Sequence, residues 1–145
     1  MKPIALAALA FATSAAAAPP RYYPTPAVND RPAPFSSAVQ VGDVLYLSGQ
    51  IGIGADGKLP DSFEGQAKQA MDNIGAVLNA HGRGWGDVFK CTAMLADMKN
   101  WPALNAVYVP YFPAGKLPAR SAFGASGLAL GAQLEVECLA YSGKK

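Results

Sequence analysis

The chain has 145 residues, 51% of them hydrophobic, and a formal net charge of +2 at pH 7. A chain of this length and composition forms one domain with an adequate apolar core. Its 12 Lys and Arg residues are balanced by 10 Asp and Glu residues and form no basic run, which excludes nucleic acid as an expected partner. The two cysteines form no CxxC pair and there is one histidine, so no metal site is expected.

The first 18 residues have the pattern of a secretory signal peptide. Lys2 supplies the positive start, residues 4–12 form an apolar run, and three alanines ending at Ala18 form a small-residue cleavage site. The apolar run is too short to cross about 30 Å of hydrocarbon, which disfavours a membrane anchor. We therefore expect cleavage after Ala18 and a periplasmic or secreted bacterial product, with no membrane association once the leader is removed.

Residues 19–34 form a proline-rich arm, because they contain half of the chain's 12 prolines. Proline fixes φ and lacks a backbone N–H group, so this segment is predicted to be extended rather than helical. The arm leads into the domain proper, which we assign to residues 35–143.

Cys91 and Cys138 both lie in predicted strands. Because an exported protein meets oxidising conditions, a disulfide between them remains open. We favour two buried thiols, since an unpaired cysteine behaves as a small apolar core residue.

A β-hairpin is predicted at the start of the domain. Residues 37–41 and 44–51 are apolar runs rich in β-branched side chains, and the pair Gly42-Asp43 separates them. Two such runs joined by a short glycine-containing turn are typical of a hairpin.

Residues 61–81 are predicted to form the first helix, with Asp61 as its N-cap and Gly82 in the left-handed position after its end. The positions that recur at helical spacing are Ala67, Met71, Ile74, Leu78 and His81. His81, the single histidine, ends this helix, where a cation would suit the helix dipole. We favour a structural role for it over a catalytic one.

The second half of the domain alternates strand and helix before two final strands. A strand is predicted over residues 88–96, a helix after the cap Asn100 with a last turn distorted by Pro110, and strands over residues 119–123 and 133–141. The resulting order, β-β-α-β-α-β-β, indicates an α+β fold with two helices on one face of a mixed sheet.

The last strand should expose a mixed second face, because successive side chains of a strand point to opposite sides of the sheet. The apolar set suits the helix-covered core and consists of Leu134, Val136, Cys138 and Ala140. The other set mixes carboxylate and apolar groups, as expected where a sheet meets another subunit, and consists of Glu135, Glu137, Leu139 and Tyr141.

Arg120 is the candidate for binding an anionic substrate. It is set in mostly apolar sequence behind the stiffening Pro118, and Glu135 offers a carboxylate on the next strand of the chain. A planar, always-charged guanidinium in such a setting suits a two-pronged grip on a carboxylate or phosphate. Nucleophile–histidine catalysis would have to use His81, which has no nucleophile motif beside it. The residues thus favour a cofactor-free site made of a cation, one carboxylate and backbone dipoles.

Five segments in order resemble the successive motifs of the RidA (YjgF) family. They are Phe35-Ser36-Ser37-Ala38, Leu47-Ser48-Gly49-Gln50-Ile51, Asn105-Ala106-Val107-Tyr108, Pro118-Ala119-Arg120-Ser121 and Leu134-Glu135-Val136-Glu137. The resemblance spans about residues 33–140. It implies a chorismate-mutase-like domain that forms homotrimers with sites between subunits.

The resemblance also implies an activity, the hydrolytic deamination of small reactive 2-imino acids to 2-oxo acids and ammonia without a cofactor. Arg120 would bind the substrate carboxylate, and Glu135 would orient or deprotonate the attacking water. Phe35, Gly49 and Asn105 would contribute to the substrate pocket.

Two positions depart from the family pattern and leave a second function open. Phe35 stands where the family commonly has tyrosine, and Ala122, at a substrate-binding position, stands where it often has cysteine. These changes favour a non-catalytic trimer that binds small carboxylates or acts like a chaperone, whereas the pair Arg120 and Glu135 favours the deaminase.

Overall fold

The computed structural model describes residues 18–26 and 32–143, and a seven-stranded sheet forms its centre. The strands are β1 (Arg21–Pro24), β2 (Ser36–Val41), β3 (Val44–Leu47), β4 (Gln50–Ile51), β5 (Val88–Leu95), β6 (Ala119–Gly124) and β7 (Leu134–Tyr141). The α-helices in these residues are α1 (Phe63–Ala80) and α2 (Trp101–Tyr108). The predicted α+β fold, two helices packed on one face of a mixed sheet, is confirmed.

The strand order is β1-β2-β3-β7-β5-β6, and β4 also pairs with β7. The pair β5 and β6 is parallel and is connected through α2, whereas the other pairs are antiparallel. The predicted alternation of β7 is confirmed, because Leu134, Val136, Cys138 and Ala140 are buried beneath the helices. We call the opposite side, which no helix of the described residues covers, the open face.

The proline-rich arm contributes a strand that the sequence did not predict. Its residues 21–24 are extended, as expected, and form β1 antiparallel to β2. Tyr23 secures this edge, because its hydroxyl donates to Gln40 Oε1 at 3.0 Å and its carbonyl accepts from Ser37 Oγ at 3.1 Å. The predicted leader, apart from Ala18, and residues 27–31 of the arm lie outside the described residues.

The predicted hairpin forms around Gly42, whose φ of +55° suits a tight turn. Its second strand is shorter than predicted, because β3 ends at Leu47 and the chain resumes at Gln50 as β4, which pairs with β7. Between them, Ser48 Oγ donates to the Ser36 carbonyl at 2.6 Å. The interruption places Gly49 against β7, where the candidate site lies.

Helix α1 begins later than predicted, and its N-cap is Ser62 rather than Asp61. Ser62 directly precedes the first helical residue, so its Oγ accepts from the Gly65 N–H at 3.1 Å. The end is as predicted: Gly82 has a φ of +66°, and its N–H donates to the Asn79 carbonyl at 3.0 Å.

Helix α2 also differs at its start. Asn100 precedes it but makes no side-chain capping bond. A short 3₁₀ turn comes before the helix, and Asp97 caps that turn by accepting from the Lys99 N–H at 2.9 Å. The predicted distortion at Pro110 is present as the 3₁₀ turn Val109–Tyr111.

Cys91 and Cys138 form a disulfide, so our preference for two free thiols was wrong. The two residues are directly opposite in the β5–β7 pair, with their Cα atoms 4.1 Å apart. Both side chains point to the helix-covered face and are buried. Opposite residues on one face of neighbouring strands bring the two sulfurs together.

Removing this disulfide should destabilise the fold substantially. Its loop spans 47 residues, for which the chain-entropy argument gives about 4 kcal/mol of unfolding free energy. Urea unfolding of the oxidised protein and of the double variant Cys91→Ala/Cys138→Ala should show this difference. Reductant should lower the urea midpoint of the parent and leave that of the double variant unchanged. An identical parent midpoint with and without reductant would contradict the prediction.

Candidate active site

Arg120 lies on the helix-covered side of edge strand β6. It is directly opposite Cys91, whose side chain is buried in the core. Its Nη2 donates to Asn105 Oδ1 at 2.6 Å, and its guanidinium carbon lies 4.7 Å from the Tyr108 ring centroid and 5.3 Å from that of Trp101. One hydrogen bond and two ring faces, all from α2, hold the planar cation in place.

This environment leaves the charge of Arg120 available to a ligand. Burial raises the pKa of Tyr108 to about 12, although the nearby Arg120 opposes the shift, so the phenol is neutral. Among the described residues, Asn105 provides the only hydrogen-bond acceptor for Arg120. The remaining N–H donors suit a carboxylate. Ala122, two residues further along β6, packs against the core on the same face.

Glu135 belongs to a cavity on the open face. In the register of the sheet it lies opposite Ile51 of β4 and Met94 of β5. The cavity has a volume of about 350 Å³ and is lined by Phe35, Ser48, Gly49, Ile51, Ala129 and Glu135.

Gly49 has a specific steric function in this cavity. A Cβ atom at this position would collide with the Glu135 carboxylate. Glycine therefore allows the carboxylate to lie directly against the backbone between β3 and β4, which places Gly49 beside Glu135.

The predicted site residues thus form two groups on opposite faces of the sheet. Arg120, Asn105 and Ala122 lie on the helix side, whereas Phe35, Gly49 and Glu135 lie on the open face. Within one chain, Arg120 and Glu135 therefore do not meet. Strands β6 and β7 are consecutive in sequence, but β5 lies between them in the sheet.

His81 takes part in neither group. Its ring packs against Tyr23 of β1 with ring centroids 4.1 Å apart. Burial lowers the pKa of His81, which opposes the helix-dipole effect that we expected to favour its charged form. The structural role that we favoured agrees with this position.

The lowered pKa of His81 predicts that folding weakens in mild acid. Its folded-state pKa lies below the ordinary value of 6.5, so the unfolded chain binds the proton more readily. Stability present at neutral pH is lost as the pH falls through 6.5, and the loss is complete below the folded-state pKa. His81→Gln should remove this part of the pH dependence. Urea midpoints of both proteins at about pH 7.5 and pH 5.5 test this; equal shifts in parent and variant would refute it.

The contacts of Arg120 include two residues that sequence reasoning did not assign to the site. Trp101, Asn105 and Tyr108 occur at i, i+4 and i+7 of α2, so one helix face carries all three. That spacing was the available signal. In the described residues, no cluster of three His, Cys, Asp or Glu side chains could hold a metal ion, and no helix is long and apolar enough to cross a membrane.

The geometry defines a class of protein: a small α+β domain with a partly buried arginine on one sheet face and a carboxylate cavity on the other. The sequence model of the Endoribonuclease L-PSP family matches residues 28–142. The chain belongs to this family, which is the RidA family that its motifs resemble.

Individual relatives agree in sequence and fold. The chain is 41% identical over 112 residues to the Mus musculus protein named 2-iminobutanoate/2-iminopropanoate deaminase, covering 76% of this chain and 82% of that protein. RidA from a Psychrobacter species superimposes with a TM-score of 0.72 at 34% identity, covering 80% and 92% of the two chains. E. coli TdcF with bound serine gives 0.73 at 28% identity, covering 77% and 90%.

Proposed function

We propose that this protein hydrolyses reactive 2-imino acids to 2-oxo acids and ammonia without a cofactor. The observation that carries the proposal is the arrangement around Arg120, which fixes the guanidinium on Asn105 and two rings and leaves donors for a substrate carboxylate. The name of the mouse relative supports the reaction type. We call the Arg120 group and the Glu135 cavity the two half-sites. Glu135 supplies the one carboxylate that lines its half-site.

The reaction needs only positioning and proton transfer. Water adds to C2 of the protonated imine while Glu135 accepts a proton from that water, which forms a carbinolamine. Glu135 then passes this proton to the nitrogen and the C–N bond breaks, so that ammonia leaves. The C2 hydroxyl becomes the carbonyl as Glu135 takes its proton, which the released ammonia finally carries away as ammonium. Arg120 would hold the carboxylate throughout, so that C2 stays in line with the water.

We propose that the complete site forms between two copies of the chain, in a homotrimer. Each copy offers an arginine group on one face and a Glu135 cavity on the other, which are the two different surfaces that a closed ring of subunits needs. The open face also exposes apolar side chains, with Tyr46 46% and Tyr141 44% exposed, as expected for a surface that another copy covers. Light scattering should give three times the mass of the mature chain, and a stable monomer at micromolar concentration would refute this assembly.

A coupled assay tests the activity. An amino acid oxidase generates imines in situ, and the added protein should accelerate 2-oxo acid and ammonia formation above the spontaneous rate. The departures at Phe35 and Ala122 favour the second candidate, a non-catalytic carboxylate-binding trimer. That candidate predicts binding of 2-oxo acids without acceleration of any imine, and Phe35→Tyr would then be the variant to gain activity.

We also propose that residues 1–18 are a leader removed on export, leaving a periplasmic or secreted protein. The disulfide supports this proposal, since disulfides persist mainly in oxidising compartments. Intact-mass measurement of the protein from its native host should show a chain beginning at Pro19. A full-length cytoplasmic chain would refute it.

A further inference from the structure

We propose that the site prefers 2-imino acids with large apolar side chains, such as those of leucine and methionine, over the methyl-bearing 2-iminopropanoate. This inference rests on the proposed function, because it concerns the side chain of the same substrate. It is carried by the lining of the Glu135 cavity, which offers hydrocarbon to a ligand and few polar partners.

The side chains that line the cavity around Glu135 are mainly apolar. Phe35, Ile51 and Ala129 bring hydrocarbon side chains to its lining, and Phe35 is 55% exposed. An exposed ring beside a partly buried isoleucine is surface that gains from contact with another apolar group.

Besides Glu135, Ser48 has the only polar side chain of this lining, and its hydroxyl is already engaged. Ser48 uses its hydroxyl proton on the Ser36 carbonyl at 2.6 Å, and its own carbonyl accepts from Gln50 Nε2 at 3.1 Å. Glu135 is the charged group of the lining, and the proposed chemistry needs it for water. A hydroxylated side chain would lose hydration and find no free side-chain donor in this lining, and a cationic side chain would occupy the carboxylate that must accept a proton.

The register of the sheet extends this apolar surface beyond the cavity. Glu135 is directly opposite Ile51 on one side and Met94 on the other, and Met94 is in turn opposite Phe123 of β6. Opposite residues in neighbouring strands share a face, so the reactive carboxylate lies in a row of apolar side chains. The Glu135 side chain therefore has an apolar neighbour on each side in the sheet.

The cavity volume favours a substrate larger than 2-iminopropanoate. At about 350 Å³, it lies within the size range of pockets that hold whole small ligands. A methyl group would leave much of this space to water, whereas an isobutyl or methylthioethyl group reaches the apolar walls. Each additional buried methylene strengthens binding about fourfold. The leucine side chain has three more carbons than the alanine side chain, so it should raise kcat/KM at least about tenfold.

The experiment compares the imines of alanine, serine, methionine and leucine, each generated by an amino acid oxidase, with the spontaneous rates subtracted. Binding of pyruvate and of 4-methyl-2-oxopentanoate is measured in parallel by calorimetry, which does not depend on turnover. We expect the leucine-derived imine to exceed the alanine-derived imine at least about tenfold in kcat/KM, and 4-methyl-2-oxopentanoate to bind tighter than pyruvate by a similar factor.

Ile51→Ala and Ile53→Ala form a matched pair of variants. Both isoleucines are partly buried, and both backbone carbonyls accept from Asn73 Nδ2 at 3.0 Å, but only Ile51 lines the Glu135 cavity. Ile51→Ala should lower the leucine-to-alanine ratio about tenfold, and Ile53→Ala should leave the ratio unchanged. Equal shifts in both variants would show a general loss of packing and would overturn the inference.

The outcomes separate this inference from the proposed function. Acceleration of all imines without preference, together with equal binding of the two 2-oxo acids, would overturn the inference and leave the deaminase intact. If no imine is hydrolysed faster than its spontaneous rate, but 4-methyl-2-oxopentanoate binds more tightly than pyruvate, the proposed deaminase activity is overturned and the apolar preference of the site is supported.

Discussion

Substituting Arg120 with lysine should weaken binding of a small 2-oxo acid roughly ten- to a hundredfold, even though the positive charge is kept. Lysine lacks the planar fork that donates two parallel hydrogen bonds to a carboxylate. It also loses the stacked position over Tyr108 and Trp101, which holds the cation in one orientation. Arg120→Ala should bind the 2-oxo acid at least as weakly as Arg120→Lys. In both variants the rate of imine hydrolysis should fall by at least the same factor as the affinity.

Calorimetric titration of the parent and the two variants with one 2-oxo acid measures the effect on binding. Lys116→Ala is a suitable control, because it removes an exposed cation of the same part of the chain outside both half-sites. The control should bind like the parent. If Arg120→Ala binds as tightly as the parent, Arg120 is not the carboxylate anchor, whichever of the two candidate functions applies.

The residues of this site follow from sequence more readily than their arrangement does. Local patterns correctly placed the helix α1, its left-handed end at Gly82 and the alternation of β7, because each depends on neighbours within about one turn or a few strand positions. The side of the sheet on which Arg120 lies, by contrast, depends on its register with Cys91 in β5.

Strand order is the information that the sequence lacked. Glu135 follows Arg120 closely along the chain, yet β5 separates their strands, whereas consecutive strands are neighbours in roughly two-thirds of cases. The same non-local pairing explains the disulfide. Nothing in the spacing of Cys91 and Cys138 showed that they would be directly opposite one another.

The separation of Arg120 and Glu135 leads to the sharpest test of the proposed assembly, because two inactive variants should restore activity when mixed. Arg120→Ala keeps an intact Glu135 cavity, and Glu135→Gln keeps an intact arginine group. Each variant alone should lose most imine hydrolysis, whereas Glu135→Gln should largely keep binding of small 2-oxo acids. If each site combines one group from each of two neighbouring chains, a mixed trimer contains some sites with both native groups.

Random assembly of equal amounts of the two variants should restore about a quarter of the parent activity, because a site is intact when one neighbour supplies Arg120 and the other supplies Glu135. The variants are co-refolded or co-expressed, so that their chains mix, and imine hydrolysis is measured per chain. Two preparations folded separately and then combined serve as the control and should stay inactive for as long as subunits do not exchange.

A second mixture combines the double variant Arg120→Ala/Glu135→Gln with the parent. About a quarter of its sites are intact if Arg120 and Glu135 come from different chains. It gives about half if both come from one chain, since every parent chain then keeps a complete site. Restoration in the first mixture and a quarter in the second would together require a site shared between subunits. No restoration in the first mixture would mean that each chain carries its own site, contrary to the opposite faces on which Arg120 and Glu135 lie.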